Sequence, residues 1–488
     1  MTVLTPVTDD LRAALRETLP AEAFRDIAPG YLEEPRGRWQ GRAGLVLAPG
    51  TVAEVSAILS AAAAAGTPVI PYGGGTGLVG GQVAEDLPDP IILSLERMNR
   101  IRAVYPEENV IIAEAGATLH EIQTAAAEAG RYFPLSYASE GTARIGGALS
   151  VNSGGLNVLR YGTARDLCLG IEAVLPDGQV IGGLKRLRKD NTGYDLKSLM
   201  IGSEGTLGVI TAASLRLFPV PGARATALLA VPSPGAALSL LARAQAVTGG
   251  AVSAFELISG MGPAFLDEVG MGPAPGLSPF PDWAVLAEIA TATAAGPEAM
   301  LEEVFAQGFE AGEITDGVLA ASEAQRAELW QMREAIPEAN RKVGAVASHD
   351  ISLPLSRIPA FLTEAARRVA AVAPVRINAF GHLGDGNLHY NLFPPAGETR
   401  AAYDGVRGAL SRVVHDLVAE MEGSFSAEHG LGRLKTGDLM RYGDPVNLAL
   451  MRRIKTMMDP KGIMNPGAVL PIAERPGAGE ENPAPGRT

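Results

Sequence analysis

A glycine-rich loop constrains this chain more than any other stretch does. Six glycines fall within the nine residues 73–81, directly after a short apolar, strand-like run that ends at Ile70 and Pro71. Glycine at this density costs backbone entropy, but it lets successive N–H groups converge on one anion without a Cβ in the way. The spacing matches neither G-x-G-x-x-G nor a P-loop with its Gly-Lys-Ser/Thr. The loop therefore predicts a phosphate cradle of another kind, with a flexible connector as the alternative.

The composition is that of an ordinary globular protein, because 47% of the 488 residues are apolar and 19% are charged. The formal net charge of −13, without a long basic run, argues against a nucleic-acid partner. The single cysteine, Cys168, excludes an intramolecular disulfide and any all-cysteine iron–sulfur cluster. We find no signal-peptide pattern and no apolar run long enough to span a bilayer, so we expect a cytoplasmic protein that does not span a membrane.

Short apolar strands alternate with helices and hairpins, which predicts an α+β protein with mixed sheets. The glycine-rich texture stops near Pro219, and beyond it the pattern is typical of an antiparallel sheet covered by helices. We expect helices over 10–19 and 21–27, and a helix over 323–340 that is interrupted at Pro337. The predicted segments are a helical lead-in over 1–45, two domains over 46–218 and 219–425, a C-terminal segment over 426–472 and a disordered tail over 473–488.

The sharpest chemical signal is the run Phe-Gly-His-Leu-Gly-Asp-Gly-Asn-Leu-His-Tyr-Asn at residues 380–391. If residues 384–387 form a four-residue hairpin loop, His382 and His389 are directly opposed, and Asn391 shares their face. Opposed side chains of this kind have Cβ atoms about 5 Å apart, and two imidazoles at that separation suit a divalent metal ion. The alternative is a pair of hydrogen-bonded histidines on a half-buried sheet.

A second polar pair, Glu428-His429, stands next to Gly430 and offers a third metal ligand and a base. Adjacent side chains of an extended segment point apart, so one residue can bind a metal ion while its neighbour acts as a base. A metal-bound hydroxyl has a lowered pKa, and a neutral histidine beside it can take the proton. The alternative is a Glu-His pair at the exposed end of a helix.

Four more clusters of glycine and small polar residues follow the first glycine loop. They occupy residues 139–148, 152–155, 160–162 and 202–211. Each cluster alone would be a turn. Together they predict a crevice in which the backbone lies against a large, flat cofactor and donates hydrogen bonds to it.

At these motifs the chain resembles the vanillyl-alcohol-oxidase/PCMH family of FAD-linked oxidoreductases, within it the D-2-hydroxyacid dehydrogenase branch. The motifs that carry the resemblance are 72–77, 145–147, 152–155, 160–162, 189–196, 202–208, 381–389, 428–430 and 459–467. The resemblance implies a PCMH-type FAD-binding domain of two α/β subdomains over 46–218 and a substrate or cap domain over 219–425. It also implies that the segment 426–472 returns to the flavin.

The resemblance implies FAD that is bound without a covalent link, because neither His120 nor Cys168 matches the positions at which relatives attach it. The residues that it assigns to FAD are Gly73, Gly74, Gly75, Thr76, Gly77, Leu78, Ser139, Gly146, Gly147, Asn152, Gly154, Gly155, Arg160, Tyr161, Gly162, Glu204, Gly205, Gly208, Ile210 and Asn465.

The resemblance also assigns roles at the substrate. It makes His382, His389 and Glu428 ligands of zinc, or of Mn²⁺, Co²⁺ or Fe²⁺. It makes Arg333 and Asn391 substrate-binding residues and His429 the base.

Two positions depart from relatives that are selective for 2-hydroxyglutarate, since Pro337 and Ser348 stand where those carry Thr and Lys. The lost Lys removes a charge-assisted contact to a distal carboxylate, and the alternative is that Arg341 or Lys342 supplies this contact. A smaller or more apolar 2-hydroxyacid is therefore an alternative substrate.

The activity implied is oxidation of a lactate-like or 2-hydroxyglutarate-like D-2-hydroxyacid, with hydride transfer to flavin N5. The electrons would pass to an external acceptor, such as an electron-transfer flavoprotein or a quinone, and a homodimer is left open. The alternative is a flavin oxidase, or another enzyme of the superfamily that acts on an alcohol or ether lipid.

Overall fold

A computed structural model describes residues 3–292 and 296–472 of the chain. It confirms the α+β class, with one sheet that contains parallel strands and two larger antiparallel sheets. Within the described ranges, no helix is both long and apolar enough to cross a membrane. The tail predicted over 473–488 lies outside the described residues.

The first sheet carries the glycine-rich loop at the end of one of its strands. Its elements are α1 (Asp9–Thr18), β1 (Phe24–Arg25), β2 (Leu45–Leu47), α2 (Val52–Ala65), β3 (Val69–Tyr72) and β4 (Ile91–Ser94). The strand order is β1-β2-β4-β3, and β2 and β3 both run parallel to β4. The helix predicted over 21–27 is wrong, because Ala21–Ala23 forms a single 3₁₀ turn and the chain then extends into β1 to pair with β2.

A second sheet is antiparallel and has the strand order β5-β6-β10-β8-β9. The elements of this region are β5 (Ile101–Tyr105), β6 (Val110–Glu114), α3 (Leu119–Glu128), β7 (Arg131–Tyr132), α4 (Ile145–Val151), α5 (Val158–Tyr161), α6 (Ala164–Leu167), β8 (Cys168–Val174), β9 (Val180–Gly183), α7 (Leu196–Met200), β10 (Val209–Arg216) and β11 (Phe218–Pro219). Buried side chains of both sheets, such as Ile91 and Ile171, belong to one hydrophobic core. The two sheets therefore hold each other in place around the glycine-rich segments.

The remaining large sheet has seven strands in the order β15-β12-β14-β13-β17-β18-β16. Its strands and helices are β12 (Ala223–Ala230), α8 (Pro234–Thr248), β13 (Val252–Ser259), α9 (Met261–Glu268), β14 (Trp283–Thr291), α10 (Pro297–Glu310), β15 (Asp316–Leu319), α11 (Glu323–Val343), β16 (Ala347–Ser352), α12 (Ile358–Ala370), β17 (Arg376–His382), β18 (Asn387–Phe393) and α13 (Arg407–Glu420). One core contains buried residues of α8, α10, α12 and α13, and another contains those of α9 and α11. Helices thus cover both faces of this sheet.

Helix α11 runs through Pro337 without a break, so the predicted interruption is wrong. Proline in a helix interior removes one backbone hydrogen bond, here to the carbonyl of Arg333. Leu329 and Ile336 of the same helix are buried against the sheet, and this packing keeps the helix continuous.

The end of the described chain returns to the first sheet. After α14 (Thr436–Tyr442) and α15 (Pro445–Met458), the chain runs alongside β3, which is the edge strand of that sheet. The N–H of Val69 donates to the carbonyl of Ile463, and the N–H of Asn465 donates to the carbonyl of Val69, both at 2.8 Å. The return therefore ends next to the glycine-rich loop. The domain boundaries given above stay predictions.

Candidate active site

Two side chains of one hairpin and a third from a later loop converge at one end of the seven-stranded sheet. His382 ends β17, His389 lies in β18, and Glu428 lies in the loop before α14; we call them the histidine cluster. One possible ligand atom of each lies within 4.8 Å of the other two. The two imidazole centroids are 5.7 Å apart, and Nε2 of His389 lies 3.7 Å from Oε1 of Glu428. Two imidazoles and one carboxylate form a donor set that suits a divalent ion with a position open to substrate.

The hairpin that carries the two histidines differs from the predicted one. Its loop is 383–386, and His389 pairs with Phe380, two residues away from the predicted partner His382. Gly386 ends the loop in the left-handed region, at φ +84°, and this sets the register. Because side chains alternate with a period of two, His382 and His389 still share one face of the sheet.

His382 is held from behind by Glu256 of β13, which is 1% exposed. The Nδ1–H of His382 donates to Oε1 of Glu256 at 2.6 Å, so Nε2 remains as the atom that can bind a metal ion. Burial acts to lower the pKa of His382, but the Glu256 carboxylate outweighs burial and raises the pKa to about 9. A metal ion at Nε2 must therefore displace a proton at neutral pH. The donor set and this supporting carboxylate together fit a bound metal ion.

Asp350 of β16 organises the loop that carries Glu428 and His429. Its Oδ2 accepts the backbone N–H of Glu428 at 3.0 Å and that of His429 at 2.9 Å. Its Oδ1 accepts Nδ2 of Asn387 at 2.9 Å. Asp350, Glu428 and His429 form a second group with metal-like spacing, but these bonds already engage both oxygens of Asp350. We therefore regard Asp350 as the residue that orients the loop.

The ring of His429 lies between two carboxylates. Its Nδ1 is 3.4 Å from Oδ2 of Asp350, and its Nε2 is 3.8 Å from Oε1 of Glu428. Burial lowers the pKa of His429, so the ring is neutral at pH 7. Hydrogen bonds from three N–H groups favour the ionised form of Asp350. A neutral imidazole beside an orienting carboxylate is the arrangement of a general base.

Burial also shifts the pKa values of His389 and Glu428. It lowers the pKa of His389 to about 3, so this ring is neutral and able to bind a metal ion. Burial raises the pKa of Glu428, with the nearby carboxylates of Asp350 and Asp385 acting in the same direction. A cation at the histidine cluster would relieve this repulsion.

Arg333 of α11 and Asn391 of β18 border the histidine cluster. Nε and Nη2 of Arg333 lie 2.8 and 2.6 Å from Oε2 of Glu256, to which they donate, and its guanidinium lies 4.7 Å from the centroid of Phe380. This leaves Nη1 as the part of the fork that Glu256 does not bind. Asn391 is two residues beyond His389 on the same face. The predicted contacts of Arg333 and Asn391 with substrate stay predictions.

The two positions that were predicted to affect substrate choice, Ser348 and Pro337, lie near Asn391 and Arg333. Ser348 of β16 is exposed and pairs directly with Asn391, so the two side chains share a face. Pro337 lies one turn of α11 beyond Arg333. The face near Asn391 therefore has a neutral hydroxyl where a lysine was expected for a diacid.

Glycine residues predicted to bind FAD meet beside the histidine cluster. A Cβ on Gly73 would lie 3.4 Å from the Cα of Gly147, so these two backbones face each other closely. A Cβ on Gly154 would lie 3.4 Å from Oε2 of Glu428. Two of the predicted segments thus contact each other, and a third contacts Glu428 of the histidine cluster.

Glu204 and Asn465, also assigned to FAD, connect parts of the chain around this crevice. Glu204 accepts the N–H groups of Leu431 and Gly432 at 2.7 and 2.8 Å. Nδ2 of Asn465 donates to the carbonyls of Gly81 and Glu204 at 3.0 and 2.8 Å. These bonds attach the loop after His429 to the first glycine loop.

Other predicted FAD residues lie at the edges of the crevice or within the fold. Asn152 ends α4 at φ +56° and accepts the N–H of Arg165. Arg160 donates to the carbonyl of Ala290, and Tyr161 packs against Phe218. The others are Gly74, Gly75, Thr76, Gly77 and Leu78 after β3, Ser139 before α4, Gly146 in α4, Gly155 before α5, Gly162 after α5, Gly205 and Gly208 before β10, and Ile210 in β10.

Sequence reasoning missed Glu256 and gave Asp350 no role. Both are acidic residues inside strands whose other residues are mostly buried, β13 and β16. A carboxylate in such a place requires hydrogen-bond or charge partners. An acidic residue within an apolar strand is therefore the signal that could have found them.

Two known families match most of the chain. The family described as FAD binding domain matches residues 43–182, and the family described as FAD linked oxidases, C-terminal domain, matches residues 220–469. The chain belongs to the FAD-linked oxidases. This confirms the predicted oxidoreductase class and FAD as the cofactor.

Similar FAD-linked oxidases include mitochondrial D-2-hydroxyglutarate dehydrogenase of Bos taurus, 38% identical over 95% of this chain and 84% of the relative. D-2-hydroxyglutarate dehydrogenase of Xanthomonas citri pv. viticola is 33% identical over 96% of this chain and 99% of the relative. Among solved structures, substrate-bound p-cresol methylhydroxylase has a TM-score of 0.75 at 15% identity, covering 96% and 99% of the two chains. The sequence relatives confirm the predicted branch, and the solved structure confirms the fold.

Proposed function

We propose that this FAD-linked oxidase oxidises a D-2-hydroxyacid to the 2-oxoacid with the help of a divalent metal ion. The observation that carries the proposal is the histidine cluster with a neutral base beside it. Ligand atoms of His382, His389 and Glu428 lie within 4.8 Å of one another, and Nε2 of His429 lies 3.8 Å from Glu428. The relatives named D-2-hydroxyglutarate dehydrogenase support the substrate class.

His429 removes the proton of the substrate hydroxyl. Asp350 holds the backbone N–H of His429 and faces its Nδ1, so Nε2 is the atom that accepts the proton. Arg333 binds the substrate carboxylate through the part of its guanidinium that Glu256 does not occupy. The Asn391 amide orients the hydroxyl or the carboxylate. FAD, when bound, would supply the acceptor for the hydride that leaves the α-carbon, and a divalent ion held by the histidine cluster would lower the pKa of the substrate hydroxyl.

The cofactors are assigned to the two parts of the site. Residues 73–78, with Gly147 and Gly154, would hold FAD, because the glycines among them carry no Cβ and let backbone N–H groups approach a phosphate. The histidine cluster would hold Zn²⁺, for which two imidazoles and one carboxylate are a common catalytic set. Mn²⁺, Co²⁺ and Fe²⁺ accept the same donors, so metal analysis of the purified protein decides among them.

The acceptor, the compartment and the assembly are proposals from the sequence. We propose a separate acceptor, an electron-transfer flavoprotein or a quinone, because the single cysteine cannot build an internal relay of iron–sulfur clusters. The reducing cytoplasm is compatible with that single thiol. A homodimer is left for solution measurement.

The deciding experiment is an anaerobic visible spectrum of the purified, metal-analysed protein. It is mixed in turn with the D and L forms of lactate, malate, 2-hydroxyglutarate and longer 2-hydroxyacids. We expect one D enantiomer to bleach the oxidised-flavin band, and His382→Ala to abolish the bleaching. A flavin that stays oxidised with every acid contradicts the proposal and favours the alcohol or ether-lipid chemistry of the wider family.

A further inference from the structure

The buried carboxylate of Glu256 joins two parts of the site that are far apart in the sequence. Its Oε1 accepts Nδ1–H of His382 at 2.6 Å, and its Oε2 accepts from Nε and Nη2 of Arg333 at 2.8 and 2.6 Å. Glu256 is 1% exposed, and within the described residues its carboxylate bonds to these two side chains. One carboxylate thus lies between a residue assigned to the metal ion and a residue assigned to the substrate.

We propose that Glu256 is a positioning residue that holds the metal ligand His382 and the substrate-binding Arg333 at a fixed separation. The inference rests on the proposed function, since it needs a metal ion at His382 and a substrate carboxylate at Arg333. It assigns to Glu256 two effects that a merely structural carboxylate would not have.

The first effect is on the metal ligand. A histidine that binds a metal through Nε2 is oriented by the acceptor at Nδ1, and removal of that acceptor typically weakens metal binding 10- to 100-fold. The acceptor of His382 is built into the sheet, because Glu256 and His382 are direct cross-strand partners in β13 and β17. The position of the Glu256 carboxylate therefore depends on the sheet and not on a loop.

The second effect is on the substrate arginine. Glu256 binds one edge of the guanidinium, and Phe380 lies under its face at 4.7 Å. These contacts fix the orientation of the fork before a ligand arrives. An arginine without them must be ordered during binding, which weakens binding by about 2- to 10-fold.

A matched control exists on the neighbouring strand. Glu288 of β14 is 4% exposed and also lies under α11, where it accepts Nε1 of Trp330 at 3.0 Å. It touches neither a member of the histidine cluster nor Arg333 in the described structure. Glu288→Gln therefore reports the cost of removing a buried carboxylate under the same helix.

The first measurement is Zn²⁺ affinity of the FAD-loaded, metal-stripped protein, by competition with a chromophoric chelator. We expect Glu256→Gln to bind Zn²⁺ about 10- to 100-fold more weakly than the wild type, and Glu288→Gln to bind within about twofold. Glu256→Asp keeps the charge but is too short to reach both partners, so we expect an intermediate affinity. This variant also tests the inference if Glu256→Gln does not fold, and retained FAD reports folding.

The second measurement is steady-state kinetics at saturating Zn²⁺ with the 2-hydroxyacid that bleaches the flavin. We expect Glu256→Gln to raise KM about 2- to 10-fold. We expect kcat to fall by a smaller factor. Zn²⁺ affinities that are equal in Glu256→Gln and the wild type overturn the metal half of the inference, and an unchanged KM overturns the arginine half. If the wild type binds Zn²⁺ no better than His382→Ala does, the proposed metal site itself has failed, and this inference fails with it.

Discussion

The backbone N–H of His429 donates to Oδ2 of Asp350, and the ring Nδ1 of the same histidine lies 3.4 Å from that oxygen. One carboxylate oxygen therefore positions both the main chain and the side chain of the proposed base. It does so from β16, a strand of the seven-stranded sheet, while His429 belongs to the loop before α14. The loop alone does not determine where the base points.

We expect Asp350→Asn to lower the rate constant of flavin reduction about 100-fold or more, because the amide removes the charge that orients and stabilises the imidazole. The measurement is the rate of anaerobic flavin bleaching at saturating substrate across pH. Asp438→Asn is the control, since Asp438 of α14 faces His415, with its Oδ1 3.4 Å from Nδ1 of that histidine, and makes no hydrogen bond to His429 within the described residues. Equal rates for Asp350→Asn and the wild type contradict the assignment of His429.

The exposed hydroxyl of Ser348 predicts how substrate choice can be changed. Ser348→Lys places an ammonium group on the face of Asn391, where it can pair with the distal carboxylate of a diacid. We expect kcat/KM for D-2-hydroxyglutarate to rise about tenfold, which corresponds to about 1.4 kcal/mol. The value for D-lactate, which has no distal carboxylate, serves as the internal control. A parallel change for both acids would show that the effect is not charge recognition.

A substitution at Gly147 tests where FAD binds, without a measurement of catalysis. A Cβ at this position would meet only the Cα of Gly73, at 3.9 Å, so the described protein has room for a side chain there. If FAD fills that space, Gly147→Val folds but weakens FAD binding by about 1–3 kcal/mol through overpacking. FAD affinity is measured by fluorescence titration of the stripped protein. Gly182→Val, in β9 and outside the predicted FAD segments, is the control because an added Cβ there meets nothing within 4 Å. Equal FAD affinities of Gly147→Val and the wild type would show that FAD does not lie beside Gly147.

His349 predicts how stability depends on pH. Its Nδ1–H donates to the carbonyl of Tyr390 at 2.8 Å, its Nε2 has no partner in the described residues, and burial lowers its pKa to about 3. An unfolded histidine takes up a proton near pH 6.5, whereas the folded one resists protonation until about pH 3. The contribution of this difference to the free energy of unfolding is fully present above pH 6.5. Below pH 6.5 it falls by about 1.4 kcal/mol per pH unit, until the folded histidine is also protonated near pH 3.

His349→Gln removes this titration. We expect the stability advantage of the wild type over the variant to shrink between pH 6.5 and 4.5, as followed by thermal unfolding midpoints. His120→Gln controls for loss of an exposed histidine. A constant difference between His349→Gln and the wild type at all pH values would be inconsistent with a neutral buried imidazole.

Local sequence patterns predicted much of the fold. The turn residues at 384–386 indicated the hairpin, and the glycine clusters indicated where backbone segments approach one another. The exact register of the hairpin was not predictable, since it depends on the left-handed conformation of Gly386 and on the pairing of His382 with β13. Alternation of side chains preserved the shared face of the histidines despite the wrong register.

The supporting carboxylates could not be placed from the sequence because they act across long separations. Glu256 and His382 are 126 positions apart, and Asp350 and Asn387 are 37 positions apart. Their contacts exist because β13 lies beside β17 and β16 lies beside β18, and strand order is a property of the whole sheet. The continuity of α11 through Pro337 has a similar origin, since tertiary packing outweighs the local preference of proline.

The return of residues 463–465 to β3 has a consequence for synthesis of the protein. β3 is an edge strand, and an uncovered edge can pair with other chains. The ribosome synthesises β3 long before residues 463–465, so the nascent chain carries an open edge until this covering segment emerges. Loss of this segment would therefore both remove Asn465 from the crevice and leave a surface prone to aggregation.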